Sequence, residues 1–238
     1  MSDSRSKCAV CPYEQSKRVC RVADGKGPEG CPTLRHDALR REALNVLEDP
    51  AQRELAQQSA LQEASSYADR EQGSGRARPV KNRIVETMEL ARRMGFSKLG
   101  LIFCVGLRKE AAVVHRLLES HGFEVVSVVC KVGRVPKSEL GLTPCEQVDT
   151  RAEAEAMCNP IMQAAIVNEE GTDFNVLLGL CVGHDSLFMK HSKAMCTVLA
   201  VKDRLLGHNP LAAVYTLDSY SRYLKSSEAV DNPGDGDE

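Results

Sequence analysis

From residue 80 onward the apolar positions alternate between two periods. Val80, Ile84, Met88 and Ala91 recur at helical spacing and stop at Gly95. The next run, KLGLIFC (98–104), is short and almost wholly apolar, the signature of a buried strand. GLRKEAAVVHRLLESHG (106–122) returns to helical spacing, with Leu107, Ala111, Val114 and Leu118 on one face. FEVVSVVC (123–130) predicts a second strand, followed by a long loop rich in Gly and Pro. NPIMQAAIVNEEG (159–171) reads as a helix with Pro160 in its first turn, where a missing N–H costs nothing. FNVLLGLC (174–181) is a third strand, HDSLFMKHS a short helix, MCTVLAVK (195–202) a fourth strand and 210–224 a final helix. Short apolar strands separated by helices predict an α/β fold, a doubly wound, mostly parallel sheet of about four strands covered on both faces.

The first part of the chain follows no such pattern. Residues 1–35 are polar, carry four cysteines and are punctuated by Gly25, Gly27, Pro28, Gly30 and Pro32. Such a segment has too little apolar surface to fold by burial, so it reads as a cysteine-rich metal-binding segment ordered by ligation. Residues 36–79 form a helical region and linker. Leu39, Ala43, Val46 and Leu47 share one helical face, Asp49-Pro50 breaks it, and a second helix carries Leu55, Ala60, Ala64 and Tyr67. EQGSGRARP (71–79) reads as a flexible linker, 80–225 as the α/β domain, and 226–238 as a disordered acidic tail.

Laid on this frame, the cysteines acquire meaning. Cys104, Cys130 and Cys181 stand at the carboxyl ends of three successive predicted strands, and Cys158 precedes the helix leading to the third. Ligands of parallel sheets bind outside that edge. If the first strand lies between the second and third, all four sulfurs meet in one crevice. Each alone reads equally well as a small buried apolar residue, which free cysteine often is. Cys145, in the long loop, is an alternative member, and Cys196, inside a strand, reads as core. The earlier set, Cys8, Cys11, Cys20 and Cys31, has the spacing C-x2-C-x8-C-x10-C-P. Its close pair aims two sulfurs at one metal and its later pair completes a tetrahedron, with zinc and a [4Fe–4S] cluster both compatible.

Polar residues follow the third and fourth strands. GLCVGHD (179–185) brings His184 and Asp185 just after Cys181, and KDRLLGHNP (202–210) adds Lys202, Asp203, Arg204 and His208. His184, Asp185 and His208 are the candidate catalytic residues; the plainer reading of each is a cap or loop residue. No dinucleotide fingerprint, phosphate-binding loop or serine nucleophile elbow is present.

Bulk properties narrow the classes further. Lys plus Arg is 31 and Asp plus Glu 33, a net charge of −2 without the basic excess that nucleic acid or an anionic membrane would attract. The longest apolar stretches are too short to span a bilayer. The start, MSDSRSKC, is not an export signal, so the chain is expected in the cytoplasm, where ten cysteines stay reduced and read as ligands or catalysts.

CVGL (104–107), VVCK (128–131), CNPIMQA (158–164), GLCVGHD (179–185) and VKDRLLGHNP (201–210) together resemble a family of uncharacterised prokaryotic proteins labelled cysteine-rich and metal-binding, over about residues 8–220. The resemblance implies that Cys8, Cys11, Cys20, Cys31, Cys104, Cys130, Cys158 and Cys181 belong to the family's cysteine pattern. It implies metal binding and no substrate.

The leading expectation is a cytoplasmic metal-binding protein with two cysteine-thiolate sites. The N-terminal one is structural or an electron relay. The strand-end one is functional, an iron–sulfur enzyme site for reductive or sulfur-removing chemistry on a small molecule, with an electron donor as partner. The alternative is a non-catalytic zinc protein, a carrier, sensor or scaffold with closed sites. A thiol redox protein is a weaker third reading, because the only C-x-x-C lies in the N-terminal loop.

Overall fold

Turns build the cysteine-rich start of the chain, as its low apolar content requires. The computed structural model describes residues 5–226; the acidic tail expected at 226–238 lies, beyond Ser226, outside the described residues. The chain divides at Ser65/Ser66 into two compact units. In the first, single 3-10 turns at Cys8–Val10 and Gln15–Lys17 precede three helices, α1 (Pro32–Arg35), α2 (Asp37–Val46) and α3 (Pro50–Ser65). The predicted break falls between α2 and α3. There Asp49 Oδ1 accepts from the Gln52 amide at 3.0 Å, and Pro50 takes the first helical position.

The second unit opens on a two-stranded antiparallel ribbon, β1 (Tyr67–Ala68) and β2 (Arg78–Pro79). The segment expected as a flexible linker, 71–79, therefore ends in the second strand of this ribbon, with Gly73 at φ +89° in the connection. The elements then run α4 (Arg83–Arg93), β3 (Lys98–Phe103), α5 (Arg108–Ser120), β4 (Glu124–Val129), α6 (Pro160–Glu169), β5 (Phe174–Leu178), α7 (His184–His191), β6 (Met195–Ala200) and α8 (Leu211–Tyr215). Asn82 caps α4 by accepting from the Val85 amide at 3.1 Å, and Asn159 caps α6 by accepting from the Met162 amide at 3.0 Å.

Strands β3 to β6 form one parallel sheet in the order β4-β3-β5-β6. The first strand does lie between the second and third. Both central strands are buried on both faces, which is why their sequences are continuously apolar. Leu99, Leu101, Phe174, Val176 and Leu178 pack toward α4 and α5, with Met88, Ala91, Ala111, Val114 and Leu118. Ile102, Val128 and Leu177 pack on the opposite face with Ala164, Val167 and Phe188 of α6 and α7. The α/β, doubly wound architecture read from the sequence is therefore the architecture of this unit.

Two boundaries differ from expectation. The third strand ends at Leu178, because Gly179 turns the chain at φ +68°. A Cβ there would overlap Leu107 Cδ1, so the bend is a glycine position on two counts. Cys181 thus sits three residues beyond the last strand residue. The final helix is one short piece, α8, followed by turns and a 3-10 turn at Arg222–Lys225. Hydroxyls explain the break: Thr216 Oγ1 donates to the Ala212 carbonyl at 2.8 Å and meets Ser221 Oγ at 2.7 Å, competing with the helical pattern.

Candidate functional site

The sheet delivers two cysteines to its carboxyl edge by continuing its own hydrogen bonding. Cys104 N donates to the Leu178 carbonyl at 3.2 Å, and Cys130 N donates to the Phe103 carbonyl at 2.9 Å. The neighbouring strand ends thereby hold the two thiols side by side, 7% and 2% exposed. Cys158 arrives from another direction. The Asn159 amide donates to the Cys130 carbonyl at 2.7 Å, fixing the start of α6 beside the end of β4. The Cys158 and Cys130 sulfurs are then 3.7 Å apart, within hydrogen-bonding contact. Cys104 packs in the same buried cluster and is close enough to Cys130 for the two to shift each other's titration in opposite directions.

Gln163 stands behind this arrangement. It is fully buried, one turn into α6, and its Nε2 donates to the carbonyls of Phe103, at 3.3 Å, and Val128, at 2.8 Å. One amide thus ties the helix that follows Cys158 to the strands that lead into Cys104 and Cys130. Its Oε1 is buried without a hydrogen-bond partner.

The electrostatics favour thiolates at two of the three positions. Cys104 is lowered to about 5, first by its hydrogen bond with Cys130, then by the Gly106 amide and the Lys202 ammonium, against the opposing effect of burial. Cys158 is lowered to about 6, again first by Cys130, with Lys131 and His184 assisting. Cys130 is driven strongly upward by the same two hydrogen bonds and by burial. The Val105 amide also points at Cys130 Sγ, at 3.3 Å. Gly106 leaves room for the cation: a Cβ there would stand 3.2 Å from Lys202 Nζ and 3.9 Å from Cys104 Sγ. A Lys202 backbone bond to the Leu180 carbonyl, at 3.2 Å, sets that side chain's origin beyond β6.

The other predicted residues are placed differently. Cys181 Sγ accepts from Arg204 at 3.1 Å and has no hydrogen bond with the other three sulfurs. Its carbonyl accepts from the His184 and Asp185 amides and begins α7. His184 is close enough to Cys158 to lower it, whereas Asp185 accepts from the Ser186 amide at 2.8 Å. His208 closes a turn, with Nδ1 accepting from the Asp203 amide at 3.2 Å. Cys145 is exposed and meets Thr143 Oγ1 at 3.1 Å, and Cys196 lies within β6 against the core, where burial raises it. The sequence reading assigned no role to Lys131 or Gln163. An apolar–polar pattern marks Gln163 only as a polar residue in an apolar helix, and that is the signal that finds it.

In the first unit, Cys8, Cys11, Cys20 and Cys31 all line one cavity of about 270 Å³. The Cys11 amide donates to the Cys8 carbonyl at 3.3 Å, making the turn that presents both sulfurs. A parallel bridge between Arg18 and Lys26 brings Cys20 and the segment before Cys31 together. Arg18 Nε donates to the Tyr13 carbonyl at 2.8 Å and holds the loop after Cys11. Gly27 has no alternative, since a Cβ would lie 2.9 Å from Cys31 Sγ. Among the described residues no three Cys, His, Asp or Glu side chains, as they stand, are gathered around a single metal ion. No helix among them is long and apolar enough to cross a membrane.

A family model described as "Protein of unknown function (DUF1847)" matches residues 31–199. The chain is also 47% identical over 136 residues to the uncharacterized protein MJ0455 of Methanocaldococcus jannaschii, a match covering 57% of this chain and 68% of that one. The family span includes Cys31 and the four later candidate ligands. It is narrower than the stretch over which the motifs were read, and Cys8, Cys11, Cys20 and His208 fall outside it.

Proposed function

This chain belongs to the DUF1847 family of proteins of unknown function, and we propose that it binds metal through two sets of cysteine thiolates, the strand-end set being the working one. The observation that carries the reading is the clustering of Cys104, Cys130 and Cys158 at the carboxyl edge of a parallel sheet, with the Cys130 and Cys158 sulfurs 3.7 Å apart. Parallel sheets bind ligands there, and thiolates are ligands for soft metals. Two of the three already favour the anionic form a ligand needs. Lys202, Lys131 and backbone amides supply the surrounding positive charge. Ten unpaired cysteines suit a reducing compartment, the cytoplasm.

Three thiolates leave a coordination position for something else. In the catalytic version, the centre is an iron–sulfur site, and a small molecule takes the open position for reductive or sulfur-removing chemistry. His184, near Cys158, is then the group placed to move a proton, with Asp185 and His208 less directly placed. In the second version the centre holds one zinc ion and serves as a carrier, sensor or scaffold. One observation favours that version. The Cys130–Cys158 separation of 3.7 Å matches the edge of a tetrahedron of sulfurs about 2.3 Å from a single ion.

Metal analysis of anaerobically purified protein tests the proposal. Stoichiometric zinc or iron is expected, with loss of one centre's metal in Cys130→Ser and in Cys158→Ser. Brown protein containing acid-labile sulfide in that centre selects the iron–sulfur version, and colourless protein with zinc the other. Metal-free wild-type protein, or metal content unchanged in both variants, overturns it.

A further inference from the structure

We propose that Cys130 and Cys158 form a reversible dithiol–disulfide couple, closed by a low-molecular-weight disulfide as oxidant. The couple goes beyond the metal reading and does not depend on it. All ten cysteines are free, and the sulfurs of this pair stand 3.7 Å apart. A disulfide bond is about 2.05 Å long, so a modest side-chain rotation closes the gap. The chain on either side is already paired. The Asn159 amide donates to the Cys130 carbonyl at 2.7 Å, the Met157 amide to the Val135 carbonyl at 2.8 Å, and the Lys137 amide to the Glu155 carbonyl at 2.9 Å. An isolated bridge joins Pro136 to Ala156, and Lys131 Nζ donates to the Ala156 carbonyl. These bonds lay residues 155–159 along residues 130–137. The two cysteines are therefore neighbours across a seam although 28 residues separate them in sequence. A crosslink between segments held side by side meets the geometric demand of a disulfide without moving the backbone far.

Access divides the labour within the pair. Cys158 is partly exposed, whereas Cys130 is 2% exposed. A reagent in solution therefore meets Cys158 first. The Cys158 sulfur attacks one sulfur of the small disulfide, a mixed disulfide forms, and one small thiolate leaves. Cys130 gives up its proton to that thiolate. Its sulfur then attacks the Cys158 sulfur, forms the Cys130–Cys158 bond and expels the second small thiolate, which takes up the proton lost from Cys158. The two protein thiols lose two electrons and two protons, and the small disulfide gains both to become two thiols. Cys104 packs in the same cluster but is only 7% exposed, so it lacks the access of Cys158. Cys181 is engaged by Arg204 at 3.1 Å. A disulfide sulfur has no thiolate charge, and the thiolate is the metal ligand. One consequence rests on the metal reading: closing the pair withdraws two of the three strand-end ligands, so oxidation and metal binding exclude each other there.

The test uses the reduced, metal-free full chain incubated with oxidised glutathione. Remaining thiols are then alkylated, and non-reducing peptide mapping by mass spectrometry reads the links. The expected result is a linked Cys130–Cys158 peptide, lighter by two hydrogens than the separate peptides together and reopened by dithiothreitol. Cys158→Ser should abolish the link and leave Cys130 without glutathione, because Cys130 is buried. Cys104→Ser should retain the link. Circular dichroism checks that both variants fold; where one does not, the wild-type map decides. Glutathione retained on Cys158 beside a free Cys130 overturns the inference. A Cys104–Cys130 link in its place, or Cys130 and Cys158 both recovered as alkylated thiols, overturns it too. A parallel arm adds zinc before the oxidant, and the link is then expected to form more slowly. If the link forms at an undiminished rate, the metal reading of this set fails while the couple stands; if no link forms with or without zinc, the couple fails while the metal reading stands.

Discussion

Cys130 governs the strand-end group: its own thiol is driven upward while those of Cys104 and Cys158 are driven down. Its hydrogen bonds are the largest cause lowering Cys104 and Cys158. Cys158 is the accessible reporter, being only half buried. Its folded value of about 6 lies below the ordinary thiol value, so the thiolate dominates above that pH and is lost as pH falls through it. In metal-free protein, alkylation of Cys158 is therefore expected to change little between neutral and mildly alkaline pH and to fall through about pH 6. Cys130→Ala removes the largest cause of that lowering and should move the midpoint upward, with a slower reaction at neutral pH. Mass spectrometry of the alkylated peptide measures both, and a wild-type midpoint at the ordinary thiol value would refute the assignment. Gln163 makes a separate case. Gln163→Leu deletes two donors to buried carbonyls, each bond contributing about 0.5–1.5 kcal/mol. Both carbonyls belong to strand residues, and the orphaned Oε1 goes with the side chain, so the expected loss of stability is near the low end, about 1 kcal/mol, in urea unfolding. Metal affinity should drop alongside, because the elements bearing the three cysteines lose their common tie.

At the scale of elements, the central strand and the long loop set the geometry. Gly100, mid-β3, faces the buried Asn175 side chain, and a Cβ would overlap Asn175 Oδ1. That oxygen accepts from Thr172 Oγ1 at 2.9 Å, while Asn175 Nδ2 donates to Ser192 Oγ at 2.8 Å, so the amide cannot simply swing away. Gly100→Ala is expected to cost about 1–3 kcal/mol as overpacking, read in the same urea experiment, and Asn175→Ala in addition should recover part of it. The loop between β4 and α6 is held by Glu155, whose carboxylate accepts from the Val148 amide at 2.9 Å and pairs with Lys137 at 3.1 Å. Lys137 is the main cause holding Glu155 down at about 2. Because the folded value is depressed, this contribution is present above the ordinary carboxylate range and is lost as pH falls toward 2. Glu155→Gln should make the loop more susceptible to proteolysis at neutral pH, with little difference from wild type under strong acid. Equal cleavage rates at neutral pH would show that the pairing does not hold the loop.

On the scale of the whole molecule, the two units differ in what orders them. The sheet unit has a buried core on each face, whereas the cysteine segment at 5–35 has no buried hydrophobic residue. Chelation, or Cys11→Ser, is therefore expected to expose the segment to protease while leaving residues 80–224 resistant; cleavage spreading equally through both would argue against independent ordering. The same difference separates what was legible in the sequence from what was not. Period and run length alone determined the α/β class, the four strands to within a few residues and the helices between them, because continuous apolar runs are what a sheet buried on both faces demands. They also marked the cysteines as clustering near strand ends. They could not determine which sulfurs meet. Gly179 turns the chain before Cys181, and Arg204 takes up that sulfur, while Asn159 brings Cys158 against Cys130. The roles of Lys131 and Gln163 were equally hidden, since each acts through space on residues far away in the chain, and Lys202 was marked only as a polar residue beyond the fourth strand. Local pattern decides which elements form, because their hydrogen bonds are short-range. Strand order, a glycine bend and a few hydrogen bonds between distant segments decide which thiols meet, and those exist only once the sheet has assembled.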